Sequence, residues 1–351
     1  MRGSDMSQPS SMGDALTLPA SLAYQAFARG DAVALRRKTL GRWRAWTWRQ
    51  VRDEVVRIAA ALAARGISRG DRVVVGSEPK SEGLLVALAV QWLGAVAAPV
   101  DAGLRAESGG SVSDLAERTG ESPTGAVRLR ADPDDAAFVY EVERGGPRGA
   151  DGVQWRMSHR DALAGARGLI RRASLRADHD ALVPPSLTPD IARVFVGAWL
   201  VVGFCINLPE GPTTEEVDRR ELAPTVVVGT ASAYERLRQL VLENLSPPTT
   251  RSRRLADWAL RSDSPNVGLL GRAAGDLLIR RPLRRVIGLS RVERSLVADV
   301  VPEEAVVAFF ARLGLNLRPL VLADAEPAAG TREEAVERPQ GLLPAVPKEA
   351  S

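Results

Sequence analysis

The segment that most constrains the fold runs from Asp71 to Val100. It opens on the β-branched run Val73-Val74-Val75 and continues as an apolar helical stretch from Lys80 to Leu93. It closes on a second apolar strand, Val96 to Val100. Strand, helix and strand joined by short links specify a βαβ unit, whose two strands run parallel. The expected fold class is therefore α/β, with sheets flanked by helices. Val73 to Val75 are expected to form a buried strand.

The helix before this unit is written with a clear start. Thr47 and Gln50 make a capping box, with Trp46 placed as the preceding hydrophobic staple. Val51, Val55, Ile58, Ala59 and Leu62 then recur on one helical face, and Gly66 ends it. After the βαβ unit, 104–133 is loop-rich. Ala136 to Val142 reads as a strand. Ser158 to Arg172 reads as a helix capped by Ser158, with Asp161 in its first turn. An apolar helix from Ile191 to Val202 leads into Phe204 to Leu208, and a short acidic helix covers Glu215 to Glu221. Val226-Val227-Val228 forms a buried strand, followed by a helix from Ser232 to Asn244. Arg251 to Leu289 is a long helical region, basic and apolar by turns. A helix from Glu303 to Gly314 and a strand from Leu317 to Leu322 complete one domain spanning 14–326. Residues 1–13 and the Ala/Pro/Glu-rich 327–351 are expected to be disordered.

Bulk properties exclude several classes. Apolar content of 45% and charged content of 26% in 351 residues suit a globular protein with a large core. Its basicity rests on arginine, since Lys38, Lys80 and Lys348 are its lysines. Aromatic residues are sparse at 5%, which argues against nucleic acid as a partner. Cys205 is the single cysteine, so no internal disulfide can form; its apolar setting points to a buried, inert thiol. The first residues are polar and no apolar run reaches the roughly 20 residues of a membrane span, so the expected location is cytoplasmic.

Landmarks in order then carry a family resemblance. Asp31 to Leu35 followed by Trp46-Thr47-Trp48-Arg49-Gln50-Val51 is one. Gly66-Ile67-Ser68-Arg69-Gly70-Asp71-Arg72-Val73 and Trp92-Leu93-Gly94-Ala95-Val96 are the next two. Met157-Ser158-His159-Arg160-Asp161-Ala162-Leu163, Asn207-Leu208-Pro209-Glu210 and Ala233-Tyr234-Glu235-Arg236-Leu237 follow. Arg281 to Val292, containing Ile287-Gly288-Leu289-Ser290, is the most specific. Together they resemble AMP-forming acyl-CoA synthetases of the adenylate-forming, AMP-binding superfamily, the long-chain fatty-acid type in particular. The resemblance implies the large N-terminal domain of that fold without the small C-terminal domain.

The departures from the family are systematic. Its phosphate-gripping loop reads Tyr-Thr-Ser-Gly-Thr-Thr-Gly-x-Pro-Lys-Gly. Here Tyr140 is followed by Glu141, Val142, Glu143 and Arg144, then Gly145-Gly146-Pro147-Arg148-Gly149. A phosphate loop needs small residues and hydroxyls so that N–H groups approach the anion; carboxylates repel it. The family's Ala-Gly-Glu-Ala, which shapes the adenine pocket, is Ala298-Asp299-Val300-Val301. Its Tyr-Gly-x-Thr-Glu segment after Leu320 is replaced by Val321 to Glu326. No counterpart of the family's hinge and catalytic lysine is expected.

What the resemblance implies is a catalytically defective synthetase-like protein acting as a binding or scaffolding subunit. An active ligase component completed by a partner-supplied C-terminal domain, and a non-functional remnant, are the alternatives. No catalytic residue and no metal ligand is assigned. Gly145, Gly146, Arg148, Gly149, Ser158 and His159 form the degenerate cofactor-binding loop. The intact family uses ATP and Mg²⁺; none is expected to serve here. His159 is read as a positioned imidazole at a helix start, and His179 as an exposed loop residue. The expected partners are an intact acyl-CoA synthetase or a second copy, on an edge formed by Leu315, Leu317, Leu320, Val321 and Leu322. Peripheral membrane contact through 251–291 is a further expectation.

Overall fold

The computed structural model describes residues 16–75, 81–99, 127–142, 153–184, 189–243 and 275–320. In chain order the elements are α1 (Leu18–Ala28), β1 (Val33–Thr39), β2 (Arg42–Thr47), α2 (Trp48–Ala64), β3 (Arg72–Val75), α3 (Ser81–Trp92), β4 (Val96–Pro99), β5 (Ala136–Val142), β6 (Val153–Ser158) and α4 (His159–Ala173). They continue with β7 (Asp180–Leu182), α5 (Pro189–Val202), β8 (Cys205–Leu208), α6 (Glu215–Leu222), β9 (Val226–Gly229) and α7 (Ala231–Glu243). A π-helical turn (Asp276–Arg280) then runs into α8 (Arg281–Val286), followed by β10 (Arg294–Val297), α9 (Glu304–Arg312) and β11 (Leu317–Pro319). The expectations for 1–13 and 327–351, and most of those for 104–133 and 251–289, lie outside the described residues. Among those described, no helix is long and apolar enough to cross a membrane.

The chain divides into two compact units. The first takes the described residues within 1–24 and 51–164. It holds a four-stranded sheet in the order β3-β4-β5-β6. β3 and β4 are parallel, with Arg72 opposite Val96 and Val75 opposite Pro99, as a βαβ unit requires. Gln91 ties the crossover helix α3 down by donating from Nε2 to the Ala137 carbonyl at 3.0 Å. β5 pairs antiparallel with β6, a strand the sequence reading did not foresee. One expectation needs correction. β3 is an edge strand, not a buried one, and Val74 is 49% exposed. A β-branched run signals a strand but not its place in the sheet.

The second unit takes the described residues within 25–50 and 165–324. Its seven-stranded sheet has the order β11-β10-β9-β7-β8-β1-β2. Every neighbouring pair is parallel except the β1–β2 hairpin. β9 lies inside the sheet, and Val226, Val227 and Val228 are buried as expected. Tyr234, Phe309 and Phe310 pack edge-to-face beside Ile287 and Leu289. Trp48 and Trp199 stack at 4.8 Å, and the Trp199 indole donates to the Ala34 carbonyl. Gln25 and Arg29 of α1 close the C-terminal end of α5. Gln25 donates to the Leu200 and Val201 carbonyls, and Arg29 to that of Gly203. Such partners satisfy carbonyls that a helix end leaves free.

Two further expectations are corrected here. Leu315 and Leu320 are buried in their own unit rather than bare; Val321 and Leu322 lie outside the described residues. His179 is buried, not exposed. It directly precedes β7, and its Nδ1 accepts the Arg176 N–H at 3.2 Å. Strand pairing draws it inside although aspartates flank it.

Candidate functional site

In the first unit the candidate site is the β5–β6 hairpin and the start of α4. The ladder pairs Tyr140 with Trp155, Glu141 with Gln154 and Val142 with Val153. The strand ends at Val142 as expected, so Glu141 and Val142, which stand at the first two positions of the family's loop, are strand. Residues 143–152 lie outside the described residues, and with them Gly145, Gly146, Arg148 and Gly149.

Ser158 and His159 are described, and the fold uses both. The Ser158 hydroxyl donates to the Asp161 carboxylate at 2.7 Å and accepts the Asp161 N–H at 3.1 Å. That is a helix cap in the expected place. The His159 N–H donates to the Asp135 carbonyl. Its imidazole is fully buried, and Nδ1 accepts the N–H of Leu18, at the start of α1, at 3.3 Å. An accepting Nδ1 puts the proton of the neutral ring on Nε2. Nε2 is buried without a partner among the described residues. Burial pushes the His159 pKa down to about 4, partly countered by the charge of Asp135. At neutral pH the ring is uncharged and faces the interior, where it locks the first turn of α1. Nearby, Arg69 pairs with Asp132 and Asp135, and Arg160 with Asp134.

In the second unit the candidate site is the carboxyl rim of the sheet. β1, β8, β7, β9, β10 and β11 run the same way, so their carboxyl ends share one edge. Ligands of open α/β sheets bind outside that edge. Thr230 follows β9, and its hydroxyl accepts the Ala233 N–H at 3.1 Å and lies 2.9 Å from that of Ser232. Asp299 follows β10, and its carboxylate accepts the Ala231 N–H at 2.7 Å. Helix starts attract anions. Here the start of α7 is already capped by a hydroxyl and a carboxylate of the chain itself. Val300 and Val301 stand beside them, 69% and 67% exposed. The sequence reading placed Asp299 in a degenerate adenine-pocket segment but missed Thr230 and Ser232. Their signal was a hydroxyl cap directly after the strand Val226–Gly229.

Cys205 is buried as expected, and burial pushes its thiol up to about 12. Arg36 binds the Asp180 carboxylate at 2.6 Å and the Asn207 side-chain oxygen at 3.1 Å, and its guanidinium reaches the Cys205 sulfur. This cluster sits within the strands and holds β1, β7 and β8 together.

Residues 22–117 match the model of a family described as AMP-binding enzyme. A stretch of 77 residues is 42% identical to the hybrid PKS-NRPS synthetase mycA of Thermothelomyces thermophilus, covering 22% of this chain and 2% of that protein. In fold the chain is similar to the N-terminal domain of FACL13 from Mycobacterium tuberculosis. The TM-score is 0.62 at 14% identity, over 86% of this chain and 75% of that one. It is also similar to VinN, with a TM-score of 0.55 at 18% identity over 65% of this chain and 64% of VinN. The chain thus spans under two thirds of VinN and a small fraction of the hybrid synthetase. Its fold is that of the N-terminal domain of adenylate-forming enzymes.

Proposed function

We propose that this chain is a catalytically defective member of the acyl-CoA synthetase group that serves as a binding or scaffolding subunit. The observation that carries the reading is the β5–β6 ladder. It pairs Glu141 and Val142 as strand where the resembling enzymes begin a hydroxyl-rich loop. A carboxylate about 4 Å from a phosphate oxygen opposes it by about 1 kcal/mol in bulk water and about 4 kcal/mol at an effective dielectric of 20. The larger value lowers affinity by about a thousandfold. Asp299 supports the same reading at the rim, where a fixed carboxylate already caps α7.

Calorimetric titration with ATP·Mg²⁺ tests it. The expected result is no binding in the micromolar range, with measurable binding after Glu141→Thr and Glu143→Gly are combined. Micromolar affinity in the unaltered chain overturns the electrostatic argument and favours an active ligase component.

A further inference from the structure

The β1–β2 ribbon has two unlike faces. Alternate residues of a strand share a face, so the cross-strand pairs sort cleanly. Lys38 pairs with Trp43 on one face; Arg37 with Arg44 and Thr39 with Arg42 lie on the other. The first face is neutralised. The Lys38 ammonium lies 2.8 Å from Asp218 and 2.5 Å from Glu221 of α6, and the Trp43 indole donates to Glu221. On the second face, Arg42 and Arg44 differ from Lys38. Arg42 and Arg44 are exposed, and neither has an ion pair among the described residues. Arg44 stands directly across from Arg37. From Ala32 to Arg52 the sequence contains no Asp or Glu.

β2 is also the terminal strand of the seven-stranded sheet. A terminal strand offers unpaired backbone groups to an added strand. A second copy of this chain would bring arginine against arginine, so like charge disfavours self-pairing here. The partner that fits carries the opposite charge.

We propose that this edge docks an extended acidic polypeptide, which pairs with the β2 backbone and sets carboxylates against Arg42 and Arg44. The proposal is independent of whether the chain forms adenylates. Its test is fluorescence anisotropy with a labelled oligoglutamate peptide, run beside a single-stranded DNA oligonucleotide of equal charge. The double change Arg42→Glu with Arg44→Glu is expected to weaken peptide binding at least about tenfold. The same reversal at Arg171 and Arg172 of α4 is expected to leave it within twofold. A parallel Arg42→Gln, Arg44→Gln pair is read instead if the charge reversal unfolds the ribbon. The proposal is overturned if the unaltered chain binds no peptide, if both reversals weaken binding equally, or if DNA binds as tightly and loses as much.

Discussion

At the scale of single residues, the fold spends its chemistry on internal positioning. His159 is the clearest case, because its ring accepts a backbone N–H in a place that water does not reach. Its pKa falls from the ordinary 6.5 to about 4 in the folded chain. The unfolded state therefore binds a proton first as pH drops. The stabilisation is fully present above pH 6.5, erodes below it, and is lost by about pH 4, a change on the order of 3 kcal/mol. Urea unfolding at stepped pH checks this. His159→Asn keeps a side-chain acceptor without titrating, so its stability should fall less steeply between pH 6.5 and 4 than that of the unaltered chain. Equal slopes would mean that other groups, such as the buried His179, carry the pH dependence. Trp199 makes a second residue-scale prediction. Its ring is fully buried, stacked on Trp48 and hydrogen-bonded to Ala34. Trp199→Ala should cost about 3–5 kcal/mol, read from the shift in denaturant midpoint.

At the scale of elements, caps and close approaches set boundaries. α2 begins with the reciprocal box expected from its sequence. The Thr47 N–H donates to Gln50 Oε1 at 2.9 Å, and the Gln50 N–H to Thr47 Oγ1 at 3.3 Å. Thr47→Ala should lower stability by about 1 kcal/mol, and Thr47→Ser should restore most of it. Gly288 explains why the segment from Arg281 to Val292 reads so specifically. Its φ is +73°, and a Cβ there would stand 2.9 Å from the Arg220 backbone nitrogen. α6 is thus pressed against this turn, where the buried Arg219 also donates to the Ile287 carbonyl. Gly288→Ala should cost about 1–3 kcal/mol from backbone strain, before any displacement of α6. A melting temperature unchanged by that substitution would show that the turn yields freely.

At the scale of the whole molecule, the chain has the fold of the N-terminal domain of adenylate-forming enzymes, and the proposed function holds that this fold no longer binds ATP. The corresponding prediction concerns chemistry. Removing one preorganised donor from a charge-stabilising site costs about 10²–10³ in rate, and the proposed function rests on the loss of the loop's hydroxyl residues. Acyl-dependent exchange of labelled pyrophosphate into ATP should stay at background for fatty acids of short, medium and long chain. Exchange clearly above background with any of them would require a phosphate-binding geometry that the β5–β6 ladder does not suggest.

The sequence by itself determined the elements whose free energy is local. The βαβ unit, the capping box of α2 and the Ser158 cap of α4 follow from strand-forming runs, helical periodicity and side chains that reach three residues along the chain. The tertiary structure decided what depends on distant partners. β7 and β10 have three and four residues, too few for an alternating pattern to declare itself. β1 becomes a sheet strand by pairing with β8, with Leu35 opposite Ile206. Val74 lies exposed and His179 buried because sheet position, not side-chain polarity, set their surroundings. Strand pairing is made between segments far apart in the chain, so its energy and its choice of inside and outside exist only once the sheet is assembled.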